Sequence, residues 1–464
     1  MSGALERAER EAAAAREAVA AATERMNVIA ERIPGDDLGT AMPPAAVLPP
    51  PPPKPATTPL QLEEGGEADE KRESKVKVKK ELRDPYADGM SAYWKRSIHE
   101  LVFTSQLNWL LLCTPVAAFQ VAVGGSDTSI FLFSLLAIAP FAERLSFVTE
   151  QLALHTSETL GGLLNATFGN VTELIVSLFA LKAGLFRIVQ VSLLGSILSN
   201  LLLVLGTAFL VGGLRHPEQR YNKTAQTASF GLLLLATMGL TFPMVLDVTH
   251  EQLEPDSSLL VSRLVSILML ITYCLYLAFQ LGTHAHIFED NDDDDDDDDD
   301  DDEEEAILGA WGAIFWLAVI TVFIAYLSEW MVDAIRGTAE DLKVPDLFLG
   351  TIVIPIVGNA AEHAAAIIFA AKNKMELSLG IAVGSATQIA LFVLPLCIAI
   401  AWWLDQPLSM DLHPFETASL LITVLLVGVL IQTGESHWLA GIILIIAYLM
   451  ISVGFFFHVD VTPS

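Results

Sequence analysis

The stretch Gly169-Asn170-Val171-Thr172-Glu173 returns 189 residues later as Gly358-Asn359-Ala360-Ala361-Glu362. The same offset aligns residues 161–198 with residues 350–387 without a gap, and six positions are identical. All six are Gly, Asn, Glu or Ser, whereas membrane segments that matched by composition alone would share Leu, Ile, Val or Ala. Glycine frees the backbone and the other three residue types carry oxygen. The repeat therefore predicts a duplicated ion site.

Long apolar runs follow one another from Leu107 to the end of the chain. Of the 464 residues, 53% are hydrophobic, and the mean hydropathy is +0.50. A helix of about 20 residues crosses a hydrocarbon core of about 30 Å. The predicted spans are 107–123, 129–153, 158–183, 187–212, 225–246, 258–282, 306–333, 345–371, 376–403, 414–433 and 437–457. The sequence thus predicts an all-α polytopic membrane protein with 11 TM helices.

One leading helix is followed by two sets of five. An odd number of spans per set makes the second set enter from the opposite side, so the repeats are predicted to be inverted. The predicted segments are an amphipathic helix (1–34), a disordered Pro-rich and basic tail (35–97), a leading TM helix (98–127), a first repeat with TM2–6 (128–288), an acidic linker (289–305) and a second repeat with TM7–11 (306–464). Basic residues before the first span favour a cytosolic N-terminus.

The formal net charge of −30 comes largely from one tract. Residues 289–305 hold sixteen acidic side chains and no basic ones. Two interpretations stand: a solvated, disordered run, or weak collection of cations near the site. The chain has no basic footprint, which excludes a nucleic-acid partner. No HExxH or GxSxG motif is present, so neither an enzyme, catalytic residues nor a cofactor is predicted.

Two carboxylates, Glu173 and Glu362, fall in the middle of predicted spans. A charged side chain there costs about 2.5–3.5 kcal/mol on insertion scales, so its presence requires a reason. Asn170 and Asn359 lie three residues earlier, on the same face of a helix. The alternative to an ion site is a polar contact that only holds helices together.

Helix breakers precede both copies of the motif, Gly161-Gly162 in the first and Pro355 in the second. Each is expected to free carbonyl oxygens toward a cation. Carboxylate, amide and carbonyl oxygens form a hard set that suits Ca²⁺, which takes six to eight oxygen ligands. The candidate metal ligands are Glu173, Glu362, Asn170, Asn359, Gly169, Gly358, Ser196, Ser385 and Gln388.

Several of these residues have a second interpretation. Ser196, Ser385 and Gln388 are either ligands or packing residues. His363, beside Glu362, either relays protons together with the two glutamates or makes a packing hydrogen bond. Glu143 and Glu329 sit near corresponding points of each set if the second copy carries three extra residues, and are candidate gating or vestibule charges.

These motifs resemble the two α-repeats of the Ca²⁺/H⁺ antiporters, the CAX branch of the calcium/cation antiporter superfamily. The resemblance runs from residues 169–173 through 195–200, and from residues 358–363 through 384–388, within a similar region of roughly 98–460. Val171 stands where the family usually has Ala. The resemblance implies export of cytosolic Ca²⁺ into an acidic store such as a vacuole, driven by protons. It also implies that Glu173 and Glu362 bind Ca²⁺ and protons in turn.

The charge balance agrees with that implication. Ca²⁺ between two carboxylates is nearly neutral, as are two protonated carboxyls, whereas an empty pair in low dielectric is disfavoured. A Na⁺-coupled exchanger, or an exchanger of Mn²⁺ or other divalent cations, of the same superfamily remains the alternative. The helix at 1–34 is a candidate autoinhibitory segment, because the tail is long enough for it to fold back onto the transporter. The sequence leaves oligomerisation open.

Overall fold

The computed structural model describes residue 85 and residues 89–249, 257–285 and 306–458. The predicted helix at 1–34, most of the 35–97 tail and the 289–305 linker lie outside these residues. Before the linker the helices are α1 (Met90–Phe103), α2 (Cys113–Val123), α3 (Asp127–Ala153), α4 (Glu158–Phe168), α5 (Val171–Lys182), α6 (Phe186–Leu198), α7 (Leu205–Arg215), α8 (Lys223–Thr249) and α9 (Ser257–Ala278).

After the linker the helices are α10 (Ala310–Leu342), α11 (Asp346–Phe348), α12 (Ile354–Gly358), α13 (Ala360–Ala371), α14 (Met375–Gln388), α15 (Leu394–Trp403), α16 (Pro414–Ile431) and α17 (Trp438–Phe457). A 3₁₀ helix (Gln106–Leu112) leads into α2, and π-helices occupy Ser199–Val204, Phe279–Thr283, Leu349–Val353 and Ile389–Val393. The strands β1 (Gln219–Arg220) and β2 (Glu435–Ser436) pair antiparallel and tie together the connections that precede α8 and α17.

The all-α polytopic architecture is confirmed, but the count of eleven spans stays a prediction. In the described residues, nine helices are long and apolar enough to cross a membrane, and the bent pair Asp346–Gly358 and Ala360–Ala371 would make ten. The remaining predicted span, 158–183, falls on α4 and α5, two helices of 11 and 12 residues. Each is shorter than the roughly 20 residues that span a bilayer.

The predicted disordered tail is wrong at its end, because residues 90–97 belong to α1. Tyr93, Ser97 and Leu101 recur every four residues and bury one face of this helix. Trp94 makes an edge-to-face contact with Phe315 of α10.

The centre of the fold is the continuous run α6–π–α7, because 94% of its most apolar window is buried inside the protein. Its counterpart in the second repeat, α14–π–α15, is 67% buried by the same measure. Outer spans expose their side chains instead, and Trp109, Trp311 and Trp403 are highly exposed near helix ends. Aromatic residues at such positions are typical of the membrane interface.

Helix boundaries repeat with the same offset of 189 residues as the motif. α5 at 171–182 corresponds to α13 at 360–371, and α6 at 186–198 corresponds to α14 at 375–388. The π-helices that follow, at 199–204 and 389–393, also correspond within one residue. The offset therefore describes local structure as well as identical residues.

Candidate cation site

Both copies of the motif interrupt a helix. Asn170 separates α4 from α5 and Asn359 separates α12 from α13, each as the residue before the first helical turn. The break in the second copy bends the chain by 52°. The prediction that Asn and Glu share the face of one helix is therefore wrong. Gly161-Gly162, predicted as the breaker, lies inside α4, because glycine weakens a helix without removing its hydrogen bonds.

Each glutamate is placed by this break in the first turn of a new helix, Glu173 in α5 and Glu362 in α13. Unpaired N–H groups and the helix dipole give that end a partial positive charge, which stabilises a carboxylate. Each carboxylate also accepts a hydrogen bond from its own backbone. The two carboxylates are close enough to repel each other electrostatically.

Oxygens without hydrogen-bond partners gather at this point. Glu173 is 9% exposed and Glu362 is half-buried, and one carboxylate oxygen of each is buried with no partner among the described residues. The amide oxygens of Asn359 and Asn200 are also buried and have no hydrogen-bond partner among the described residues. Buried polar atoms are rarely left in this state unless an ion, a proton or a water completes them.

Glu173 also lines a narrow cleft between the repeats. Thr172 and Ser196 of the first repeat, and Pro355 and Gly358 of the second, contribute to its wall. The remaining lining is mostly aliphatic, from α3, α5, α6, α10 and α12. A polar end in an apolar cleft suits a small ion that sheds its water on entry.

Each copy of the motif, with the residues that surround its asparagine, forms one half-site. In the half-site around Asn170, the amide and hydroxyl side chains form hydrogen bonds between the two repeats. Asn170 Nδ2 donates to Gln388 Oε1 at 2.6 Å, and Ser385 Oγ donates to Asn170 Oδ1 at 2.9 Å. In the other half-site, Asn359 Nδ2 approaches the carbonyl oxygen of Ser196 at 3.4 Å. The structure thus brings these five predicted residues to one interface, but it engages Asn170 and Asn359 differently.

The other predicted residues have more peripheral contacts. The ring of His363 binds the backbone of Leu203 in the first repeat. Gly169 ends α4 and is exposed, whereas Gly358 lines the cleft. Both motif glycines therefore stand at the helix breaks.

The two candidate gating charges are held in ion pairs. Glu143 pairs with Arg144 at 2.9 Å, and Glu329 pairs with Lys182 at 2.9 Å. Lys182 lies nine residues after Glu173, about 13 Å along α5. The offset of 189 that the helix boundaries keep sets Glu143 opposite Val332, three residues from Glu329, so the correspondence between Glu143 and Glu329 stays a prediction.

Asn200 is the residue at the interface that the sequence motif did not single out. It is fully buried in the π-helix at 199–204, and its Nδ2 donates to Ser385 Oγ at 3.1 Å. The position 189 residues later is Ile389, so a search for duplicated residues passes over it. Asn200 lies in the stretch 195–200 that carries the family resemblance, and in the structure the π-helix marks it, since π-helices are rare and frequent at functional sites.

A second polar cluster fastens α6 to α16. Glu416 is fully buried and forms an ion pair with Arg187, which also contacts Gln190 at 2.8 Å. His413 and His458 bring ring nitrogens within 4.8 Å of the Glu416 carboxylate. Because Arg187 already neutralises the Glu416 carboxylate, this cluster is better explained as a structural contact between the repeats than as a metal site. We call it the latch.

Broken helices that present buried carboxylates to each other are how secondary transporters build ion sites in the membrane. The fold and the site therefore define a multi-pass cation transporter. The sequence profile of the family described as "Sodium/calcium exchanger protein" matches residues 126–282 and 312–457. Vacuolar cation/proton exchanger 3 of Oryza sativa subsp. japonica is 46% identical over 374 residues, covering 80% of this chain and 90% of that protein.

Solved structures agree. Native YfkE superposes with a TM-score of 0.65 at 34% identity, covering 76% of this chain and 100% of that chain. The selenium-substituted form, described as a Ca²⁺/H⁺ antiporter protein, has a TM-score of 0.63 at 31% identity, covering 80% and 100%. The chain belongs to the sodium/calcium exchanger family and, within it, to the cation/proton exchangers.

Proposed function

We propose that the protein exchanges cytosolic Ca²⁺ for protons across an acidic organelle membrane such as that of the vacuole. The observation that carries this proposal is the pair of buried carboxylates, Glu173 and Glu362, each with one oxygen that lacks a partner among the described residues. Asn359 supplies a third such oxygen. The names of the relatives, a vacuolar cation/proton exchanger and a Ca²⁺/H⁺ antiporter, support the same choice of ions and membrane.

Coupling follows from charge. Ca²⁺ bound by Glu173 and Glu362 is neutral as a set, and so is the pair with two protons. The empty pair carries two negative charges that repel each other in a medium of low dielectric. Only the two filled states then cross between the sides, which gives exchange of one Ca²⁺ for at least two protons.

The remaining candidates take supporting roles in this proposal. Gly169 and Gly358 allow the breaks, and Ser196, Ser385 and Gln388 complete the oxygen set. His363 acts as a packing contact to the π-helix, since its ring binds the Leu203 backbone. Glu143 and Glu329 set the local charge through their ion pairs with Arg144 and Lys182 rather than gate the site.

We infer a cytosolic N-terminus from the basic residues before the first span. In that orientation, the cleft that contains Glu173 lies in the non-cytosolic half of the protein, with the connections at 183–185 and 343–345. The acidic linker at 289–305 is then cytosolic. It would raise the local cation concentration at the side from which Ca²⁺ is taken up.

Ion dependence tests the proposal. Purified protein in vesicles with an acidic interior should take up Ca²⁺, and uptake should stop when a protonophore collapses the pH gradient. Uptake that requires a Na⁺ gradient instead would assign the protein to Na⁺-coupled exchange. Competition by Mn²⁺ at equal concentration would widen the substrate to other divalent cations, because Mn²⁺ also accepts oxygen ligands.

We also propose that residues 1–34, which lie outside the described residues, inhibit transport within the same chain. Support comes from the sequence alone: a heptad stripe that ends at Ile33, followed by a tether of about sixty residues. Deleting residues 1–60 should raise the uptake rate, and adding the free peptide should lower it again. Equal rates at matched protein amounts would refute this inhibition, and light scattering of the purified protein would report its oligomeric state.

A further inference from the structure

A single hydrogen-bond chain links four side chains at the cation site and alternates between the repeats. Asn200 donates to Ser385 at 3.1 Å, Ser385 donates to Asn170 at 2.9 Å, and Asn170 donates to Gln388 at 2.6 Å. Asn170 and Asn200 come from the first repeat, and Ser385 and Gln388 from the second. Any motion of one repeat against the other must therefore stretch or rearrange this chain.

This hydrogen-bond chain forms in the half-site around Asn170 and has no equivalent among the described residues of the half-site around Asn359. Replacing each member by the residue 189 positions away gives Asn359, Ser196 and Ser199, but the anchor Asn200 corresponds to Ile389. In that second half-site the Asn359 oxygen is buried with no partner among the described residues. The two motif asparagines are therefore unequal: Asn359 offers an oxygen, whereas both polar atoms of Asn170 are engaged.

Every member of the chain can both donate and accept, because an amide has an NH₂ group and an oxygen and a hydroxyl has both functions. Turning the three amides and the hydroxyl reverses the direction, so that Gln388 donates to Asn170, Asn170 to Ser385, and Ser385 to Asn200. The number of hydrogen bonds between the four side chains is unchanged. The Asn200 oxygen, which in the observed direction is buried without a partner among the described residues, then accepts the Ser385 hydroxyl.

Reversing the hydrogen bonds changes which group of the Gln388 side chain is free, its NH₂ group or its oxygen. In the observed direction the Gln388 oxygen is occupied by Asn170, which leaves the NH₂ group of Gln388 for other partners. In the reversed direction the NH₂ group is occupied and the oxygen becomes available. A cation selects an oxygen, whereas a carboxylate without a cation selects an NH₂ donor.

We propose that Asn200 is a positioning residue that anchors a reversible hydrogen-bond chain, Asn200–Ser385–Asn170–Gln388, whose direction switches when cation and protons exchange. The proposal rests on the proposed function for its ions, but not for its geometry. In this proposal the role of Asn200 is to orient the other three side chains and not to bind the cation. It acts by giving the Ser385 hydroxyl an acceptor in the direction that exposes the Gln388 oxygen.

Substituting the anchor biases the direction. In Asn200→Leu the observed direction loses only a bond to the Ser385 oxygen, whereas the reversed direction buries the Ser385 hydroxyl hydrogen without an acceptor. The oxygen-presenting direction is thus disfavoured, and the apparent Km for Ca²⁺ should rise about two- to tenfold, as expected for one net hydrogen bond. In Asn200→Asp the side chain only accepts once its carboxyl is ionised, so at the alkaline end of the assayed pH range the Km should fall and the maximal rate should drop.

The test measures initial Ca²⁺ uptake against Ca²⁺ concentration in vesicles at a fixed pH gradient. Thr207→Val is the control, because within the described part of the chain the Thr207 hydroxyl bonds only carbonyls of its own helical run. Each substitution at Asn200 is also combined with Ser385→Ala in a double-mutant cycle. Without the Ser385 hydroxyl, Asn200 has no hydrogen bond to orient, so neither substitution should change the Km. Opposite shifts in Km that disappear in the Ser385→Ala background support the chain.

Two results would overturn it: a rise in Km for both substitutions, or a fall for Asn200→Asp that persists in the Ser385→Ala background. If Asn200→Leu does not fold, Asn200→Ala makes the same prediction with less bulk. The Ca²⁺-induced rise in unfolding temperature of the detergent-solubilised protein measures binding without transport. Wild-type protein that binds Ca²⁺ but shows no proton-driven uptake would refute the proposed exchange, while the same variants would still test the chain.

Discussion

Gly195 and Gly384 occupy the same position in the two repeats but meet different surroundings, so they form a matched pair for substitution. A Cβ added at Gly195 would overlap the carbonyl oxygen of Thr351 and lie 2.8 Å from Cγ of Pro355. A Cβ at Gly384 would meet none of the described residues within 4 Å. The first repeat thus uses its glycine for close approach of α6 to the segment before the break at Asn359.

The loss of folding stability in Gly195→Ala can be worked out from these distances. Ordinary carbon contacts begin near 3.4 Å, so α6 and the second repeat must move apart by more than half an ångström in Gly195→Ala. Overpacking of this kind costs about 3 kcal/mol, offset by about 1 kcal/mol of helix propensity gained over glycine. The net loss of about 2 kcal/mol is roughly a thirtyfold change in the ratio of folded to unfolded protein.

The assay is thermal unfolding in detergent, followed by the fraction of protein that remains monodisperse, with Ca²⁺ uptake measured on the same preparations. Gly195→Ala should unfold at a clearly lower temperature and transport poorly. Gly384→Ala should match wild type or exceed it slightly, since only the propensity term applies. Equal behaviour of the two variants would refute the close approach at Gly195.

Two further predictions rest on contacts in the structure and a third on the acidic tract of the sequence. Asn359→Ala should raise the apparent Km for Ca²⁺ in uptake assays, because it removes a buried oxygen that has no partner among the described residues; an unchanged Km would assign Asn359 to packing. Arg187→Met should destabilise the protein by about 3–5 kcal/mol in thermal unfolding, because it leaves the fully buried Glu416 carboxylate uncompensated. The control Arg220→Met breaks a pair whose Arg side chain is 80% exposed and should cost less than about 1 kcal/mol; similar losses would contradict the latch. Replacing Asp292–Asp302 with a Gly/Ser linker should lower uptake only at limiting Ca²⁺ and low ionic strength, and lost uptake at saturating Ca²⁺ would show a further role.

The sequence predicted the membrane architecture because hydropathy and span length are local properties. The repeat offset was equally accessible, since identical Gly, Asn, Glu and Ser residues stand out against aliphatic segments. The count of spans was not settled, because the segment at 158–183 divides into α4 and α5. Hydropathy alone does not detect a break that an Asn introduces without a charge or a proline.

The site was accessible in part. Residues that are duplicated could be found, and the structure gathers Asn170, Asn359, Ser385 and Gln388 at the interface between the repeats. Asn200 was missed, because its contact with Ser385 is formed across the repeats and its counterpart is apolar. Tertiary contacts of this kind leave no periodic signal in a single sequence.

Simultaneous measurement of Ca²⁺ and proton fluxes in vesicles tests the paired carboxylates most directly. Wild-type protein should release at least two protons for each Ca²⁺ taken up. Glu173→Gln and Glu362→Gln should each abolish both fluxes while remaining folded, because an amide keeps the shape but cannot alternate between charge and proton. A variant that retains proton-coupled Ca²⁺ uptake at a near-normal rate would contradict the account.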